Sequence, residues 1–165
     1  KGRAMLLEHN PLAQWPTVVS PDGLVLTESA AIIQILYELV PSAELLPHAG
    51  DPQRRAALRY LAFFVAAIYP TFTYGDDPEK WSCDARLRAS THAHREALWR
   101  HLEGVAQQPW FLGARRSALD LYISVMSRWR PRRPWFAEHA PKLHAIALAI
   151  DGDPRLAGVW AASFA

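Results

Sequence analysis

Asn10-Pro11-Leu12-Ala13-Gln14-Trp15-Pro16-Thr17-Val18-Val19-Ser20-Pro21-Asp22-Gly23-Leu24-Val25-Leu26-Thr27-Glu28-Ser29-Ala30-Ala31-Ile32 contains the change of hydrophobic period on which the fold turns. Thr17 to Ser20 is β-branched and reads as a strand. Pro21-Asp22-Gly23 is a turn, with glycine free to take positive φ. Leu24 to Thr27 is the returning strand, so the pair makes a hairpin. The period then lengthens to about 3.6. Ile32, Ile33, Ile35, Leu36, Leu39 and Val40 form one helix face from Ser29 to Val40, and Pro41 stops it.

Upstream, residues 1–16 carry weak signals, with Asn10-Pro11 and Trp15-Pro16 punctuating a loop or strand edge. Downstream, Pro41 to Asp51 reads as a linker. Asp51-Pro52 is a helix start, repeated at Asp77-Pro78 and Asp153-Pro154. The first helix continues through Leu58, Leu61, Val65, Ile68 and Phe72, with a kink at Pro70. Further helices are expected around Leu87 to Val105, Ser117 to Trp129, Leu143 to Ile150 and Leu156 to Phe164. Ser117-Ala118-Leu119-Asp120 has capping-box spacing. A two-stranded hairpin with one helix is marginal alone. More sheet is therefore expected before Lys1 or from another chain.

Composition narrows the class. Eighteen Lys+Arg against sixteen Asp+Glu leave +2, too little to imply nucleic acid by itself. Cys83 is the lone cysteine, which excludes an internal disulfide scaffold or a cysteine-based zinc site. Without a base or a lowered pKa it reads as an inert or surface thiol. The longest uninterrupted apolar run, Leu61 to Ile68, is too short for a membrane helix. With no signal peptide and no initial Met, the sequence points to an intracellular protein whose beginning lies upstream.

The segments from Asn10 to Val19, Asp22-Gly23, and Leu26-Thr27-Glu28-Ser29-Ala30-Ala31-Ile32 resemble the second half of the thioredoxin-like domain of soluble glutathione S-transferases. That family's pattern is NPxGxVPxL, a DG turn and an LxESxAI helix start. Trp110-Phe111-Leu112-Gly113 with Ser117 to Asp120 resembles its helical-domain capping box, and Tyr69 to Pro78 resembles a stretch of bacterial members. The resemblance covers essentially the whole chain. It implies an α+β / α fold: a partial thioredoxin-like βα piece, hairpin plus helix, followed by an all-α bundle of the glutathione transferase type. Residues 1–40 would be the C-terminal half of a glutathione-binding domain, 41–51 a linker and 52–165 the helical domain. The family's first strand, helix and second strand would precede Lys1. They carry the Ser, Tyr or Cys that contacts the glutathione sulfur, so no catalytic residue is assigned. Trp15 also departs from the family's small aliphatic residue.

The resemblance implies roles residue by residue. Pro16 is similar to the family's cis-proline, turning Trp15 so that its N–H and C=O pair with an extended tripeptide as a short added strand. Ser29 would hold the γ-glutamyl carboxylate at the helix N-terminus, and Glu28 would balance the ammonium. The same two residues also read as an ordinary helix start. Gln14 is a further candidate, though an exposed loop glutamine also simply meets water. Tyr69, Phe72 and Tyr74 would border the pocket of the electrophilic substrate, and equally suit core or dimer packing.

No metal is expected: His92 and His94 face differently, and His94 is expected half-buried with a partner. The interhelix run Arg128-Trp129-Arg130-Pro131-Arg132-Arg133-Pro134-Trp135 interleaves Arg and aromatics, as single-stranded nucleic acid binders do, but also reads as a solvated rim or partner contact. The implied function is a cytoplasmic, homodimeric transferase in detoxification. It would bind glutathione as co-substrate and promote thiolate attack on a hydrophobic electrophile, a disulfide or a peroxide. A non-catalytic binding or scaffolding module of the same architecture is the alternative.

Overall fold

The computed structural model describes residues 2–81 and 84–164, so the expectation for Cys83 lies outside the described residues. The chain divides into two units, Lys1–Leu46 and Pro47–Ala165.

The first unit opens with helix α1, Gly2–His9, where the sequence suggested a loop or strand edge. Ala4, Met5, Leu6 and Leu7 have strong helix propensity, but eight residues are too few to display a period. Leu6 is buried, and its carbonyl accepts from the Asn10 N–H at 2.8 Å, ending the helix. Strands β1, Val18–Val19, and β2, Val25–Leu26, pair antiparallel with Val18 opposite Leu26 and Val19 opposite Val25. They are shorter than expected because the flanking polar residues are spent on the turns. Ser20 N–H donates to the Leu24 carbonyl at 2.9 Å, and the Ser20 hydroxyl bonds to Asp22. That hydroxyl holds the Asp22 pKa below its ordinary value. Gly23 takes φ 85°, the left-handed region that the turn requires. Helix α2 spans Ser29–Leu39. Of its expected apolar face only Ile32 is buried; Leu36, Leu39 and Val40 stay exposed, as do Val18, Val19 and Val25.

The second unit is helical: α3 Arg54–Phe63, α4 Tyr69–Asp76, α5 Pro78–Trp81, α6 Ala85–Val105, α7 Ala118–Met126, α8 Arg133–His139, α9 Pro141–Asp151 and α10 Ala157–Phe164. Three boundaries differ from expectation. Asp51 accepts from Gln53 N–H at 2.8 Å, but the helix begins only at Arg54, one turn later. Between α3 and α4 the chain forms a π-helical turn, Phe64–Ile68. Pro70 has no N–H to continue the i→i−4 ladder, and the widened turn ahead of it takes the place of a simple kink. In the run Arg128 to Trp135, read as all loop, Pro134 lies in the first turn of α8 and starts it.

The core lies around α7. Leu119, Ile123 and Met126 are buried, and so are Leu143, Ile146, Ala147 and Ile150 of α9, which packs against it. The Phe64 ring stacks on Tyr122 at 5.4 Å, and Trp99 meets Phe136 at 4.9 Å. Glu103 of α6 caps α9 by accepting from the Lys142 and Leu143 N–H groups at 3.1 and 3.0 Å. Taken together, Arg54–Asp76 is long and apolar enough to cross a membrane by length and composition. The uninterrupted apolar run is as short as the sequence shows, but the helical stretch around it is apolar on average. Phe64 and Ile68 are wholly buried, and 33% of the apolar window lies inside the protein, so that part of its hydropathy belongs to the core.

The Ser117 box forms. Ser117 N–H donates to Asp120 Oδ2 at 2.7 Å, and Leu119 N–H donates to Ser117 Oγ at 3.3 Å. Asp120 also accepts from Phe111 N–H at 2.8 Å, tying the 110–113 turn to the helix start. Burial raises its pKa. Ser117→Ala should lower stability by about 1 kcal/mol. Asp120→Ala should remove about 3 kcal/mol, because two buried N–H donors lose their acceptor. Urea midpoints check both.

His144 gives a pH dependence. Burial, with Arg133 close by, holds its pKa below the ordinary 6.5. The unfolded chain therefore binds this proton more readily, and stability is lost as pH falls through the window below 6.5. His144→Gln should flatten that limb below pH 6.5, measured by urea midpoints across the acid range.

Candidate functional site

In the first unit, the hairpin register brings two separate segments to one end. Pro16 lies two residues before Val18, and Glu28 two residues after Leu26, its ladder partner. One step further along each segment stand Trp15 and Ser29. The Trp15–Pro16 bond is cis, as the resemblance implies. Trp15 is 66% exposed, and among the described residues its backbone N–H and C=O make no hydrogen bond. Gln14 and Pro16 are exposed beside it.

Asn10 holds this loop, although in the sequence it reads only as punctuation before Pro11. It is buried, its Nδ2 donates to the Gln14 carbonyl at 3.2 Å and to Thr17 Oγ1 at 3.0 Å, and its Oδ1 accepts from Leu12 N–H at 3.0 Å. Thr17 Oγ1 in turn donates to the Gln14 carbonyl at 2.8 Å. Ala13 has φ 49°, at the position that the NPxGxVP pattern gives to glycine. That conformation costs a side-chain-bearing residue roughly 1–2 kcal/mol. The signal in the sequence is Asn-Pro five residues before a second X-Pro, since an Asn before a loop readily forms an Asx turn.

Ser29 is half-buried and is the first helical residue of α2, whose N-cap is the exposed Glu28. Glu28 has φ 61° and makes no side-chain capping bond. A non-glycine residue at positive φ is strained backbone, which concentrates at functional positions. The helix start thus keeps N–H donors and a partial positive charge without a cap from its own N-cap side chain.

In the second unit, Tyr69 and Phe72 come together on one face of α4 against Trp129, at ring distances of 6.0 and 5.1 Å. Tyr74 does not join them; it packs on Trp81 at 5.0 Å. Beneath Phe72 lies Arg95, wholly buried, with its guanidinium 3.9 Å from the ring centroid. Arg95 donates to Thr71 Oγ1 at 2.9 Å, to the Thr71 carbonyl at 2.6 Å and to the Arg130 carbonyl at 3.2 Å, and pairs with Asp76 at 2.9 Å. Burial lowers its pKa, and Asp76 opposes that shift. His92 Nε2 meets Asp76 Oδ1 at 2.7 Å. His94, expected half-buried, is exposed. Gly75 is required here, since a Cβ would stand 2.4 Å from Thr91 Oγ1 of α6.

Part of the Arg–Trp run is drawn into the protein, while Arg130, Arg132 and Pro134 stay exposed. Arg128 and Arg133 share Asp151 at 2.9 and 3.0 Å, and the Arg128 guanidinium lies over the Trp160 and Phe164 rings at 4.9 and 4.7 Å. Among the described residues, no three His, Cys, Asp or Glu come together as a metal group.

A hairpin and helix with a cis-proline loop, joined to a helical bundle, define the class of a thioredoxin-like piece fused to an all-α domain. The chain is 34% identical over 157 residues to YncG, a GST-like protein of Escherichia coli K12, covering 93% of this chain and 76% of that one. It is 27% identical to the glutathione S-transferase GstA of Escherichia coli O157:H7, over 73% of this chain and 59% of GstA. The sphingomonad glutathione S-transferase, solved with glutathione, shares its fold with a TM-score of 0.79, covering 94% of this chain and 77% of that one at 23% identity. No family model matches the chain. The chain belongs to the glutathione S-transferase family.

Asn10→Ala should release the Leu12 N–H and loosen the loop that presents Trp15. Amide hydrogen exchange at Leu12 should speed up by about tenfold, the scale of one lost buried hydrogen bond.

Proposed function

We propose that this chain is a glutathione transferase, binding glutathione at the mouth of the hairpin and promoting attack of its thiolate on an electrophilic, disulfide or peroxide substrate. The observation that carries it is the register. It sets the unpaired Trp15 backbone N–H and C=O at the same end as the start of α2, where the Glu28 side chain makes no capping bond. An extended tripeptide would pair with the Trp15 backbone as a short added strand. Its γ-glutamyl carboxylate would sit at the Ser29 hydroxyl and the first N–H groups of α2, and its ammonium beside Glu28. Gln14 would add a contact from the exposed loop. Residues 1–40 would then be the C-terminal half of the glutathione-binding domain, 41–51 the linker and 52–165 the helical domain.

The chemistry is thiol activation. A thiol of pKa about 8.5 is only a few per cent thiolate at neutral pH, so a donor that stabilises the anion raises the reactive fraction. No position of this sequence matches the family's sulfur-activating residue, and binding and orientation are the tasks assigned to the residues named. The electrophile would rest on the Tyr69, Phe72 and Trp129 strip, an apolar aromatic surface; Tyr74, turned to Trp81, is left out. A cytoplasmic homodimer in detoxification completes the proposal; the exposed apolar residues of the first unit suit cover by further sheet or by a second copy.

Calorimetric titration with glutathione tests the proposal. Binding should be measurable, and Ser29→Ala should weaken it by about tenfold through loss of a charge-assisted hydrogen bond. An absence of heat and of thermal protection in a folded chain would rule it out. Binding without turnover of a chlorinated aromatic would leave the non-catalytic binding module.

A further inference from the structure

Among the described residues, the ionic group at the end of the aromatic strip does not balance: Asp76 is the acid that its basic side chains share. His92 holds one carboxylate oxygen at 2.7 Å and Arg95 the other at 2.9 Å. Arg130 stands at the margin, its Nε 3.9 Å from Asp76 Oδ1 and its side chain 62% exposed. Among the described residues, the terminal nitrogens of Arg130 make no hydrogen bond or ion pair. The neighbouring acid Asp77 is turned to the Lys80 N–H of α5 at 3.3 Å. Two guanidinium groups, those of Arg95 and Arg130, therefore face one carboxylate among the described residues, and the exposed Arg130 carries the surplus.

The backbone beneath Arg130 is fixed. Its carbonyl accepts from the buried Arg95 at 3.2 Å, and Arg132 N–H donates to the Trp129 carbonyl at 2.7 Å. Trp129, the preceding residue, lies against Tyr69 and Phe72. Phe72 has one ring face covered by Arg95, whereas Tyr69 is 43% exposed, so Tyr69 and Trp129 offer the contact surface. A guanidinium fork matches a carboxylate in shape as well as charge.

We infer that Arg130 is a specificity-determining residue: the strip takes an aromatic acceptor bearing a carboxylate, its ring on Tyr69 and Trp129 and its acid group on Arg130. This rests on the proposal that the strip receives the second substrate. It goes further by fixing that substrate's charge.

The test compares para-nitrobenzoate with its neutral counterpart para-nitrobenzamide, titrated into the isotope-labelled chain and followed at the Trp129 indole by NMR. The acid should bind about fivefold more tightly than the amide, the scale of one charge contact at a partly exposed site. Arg130→Gln should erase that preference while leaving the amide's affinity and the circular dichroism unchanged, and Arg130→Lys should keep part of it. Equal affinities, or a preference that survives Arg130→Gln, would overturn the role of Arg130 and leave the strip as an acceptor surface. Failure of either probe to move the Trp129 signal would overturn the strip itself, and this inference with it. Glutathione affinity, measured in parallel, should not respond to Arg130→Gln.

Discussion

The pairing of Val18 with Leu26 and Val19 with Val25 is the constraint on which the first unit depends. Strand side chains alternate, so a slip of one residue would turn the loop before β1 and the helix after β2 to opposite faces. Two residue pairs are too few to hold a register by themselves. Local polar bonds supply what the ladder lacks: Ser20 and Asp22 close the turn, and Asn10 with Thr17 ties down the approach to Pro16. The Trp15–Pro16 end of the hairpin is thus set by short-range hydrogen bonds rather than by a deep core.

The second unit solves the opposite problem, because it has a core and must place a charge inside it. Arg95 is wholly buried, yet every one of its nitrogens has an acceptor: the Thr71 hydroxyl and carbonyl, the Arg130 carbonyl and Asp76. Removing one partner of such a group typically costs about 3–5 kcal/mol, because an uncompensated charge stays behind. Its structural effect is to join α4, α6 and the loop after α7. The Tyr69, Phe72 and Trp129 rings are held in register by that junction.

Much of this was legible in the sequence, and what was missed has a pattern. The hairpin, its Gly23 turn, α2, the long α6 and the Ser117 box each announce themselves by period, turn chemistry or capping spacing, signals that lie within one segment. The cis bond before Pro16 was legible only through family resemblance, since an isolated X-Pro favours trans. The π turn before Pro70 and helix α8 were hidden because proline marks both breaks and starts. Asn10 and Arg95 were missed for a different reason. Their importance lies in partners far along the chain or in backbone carbonyls, and no spacing rule encodes a carbonyl. Tyr69, Phe72 and Tyr74 looked alike in sequence, but five residues on a helix turn Tyr74 away from Tyr69, and the fold divides them.

Trp15 shows why binding and catalysis are separable demands here. A ligand that pairs with a backbone N–H and C=O asks only for the conformation of residue 15, so an indole can stand where a small aliphatic is usual. The helix start likewise offers peptide N–H groups that no substitution removes, provided the helix begins at Ser29. Thiol activation is the reverse case, because it needs one hydroxyl or thiol at one place and nothing in the backbone replaces it. A cradle built from main-chain groups therefore tolerates sequence change that would abolish turnover. For this chain the strained Glu28 and the Asn10 hub are the better measures of whether the cradle is kept, since they fix backbone geometry rather than supply chemistry.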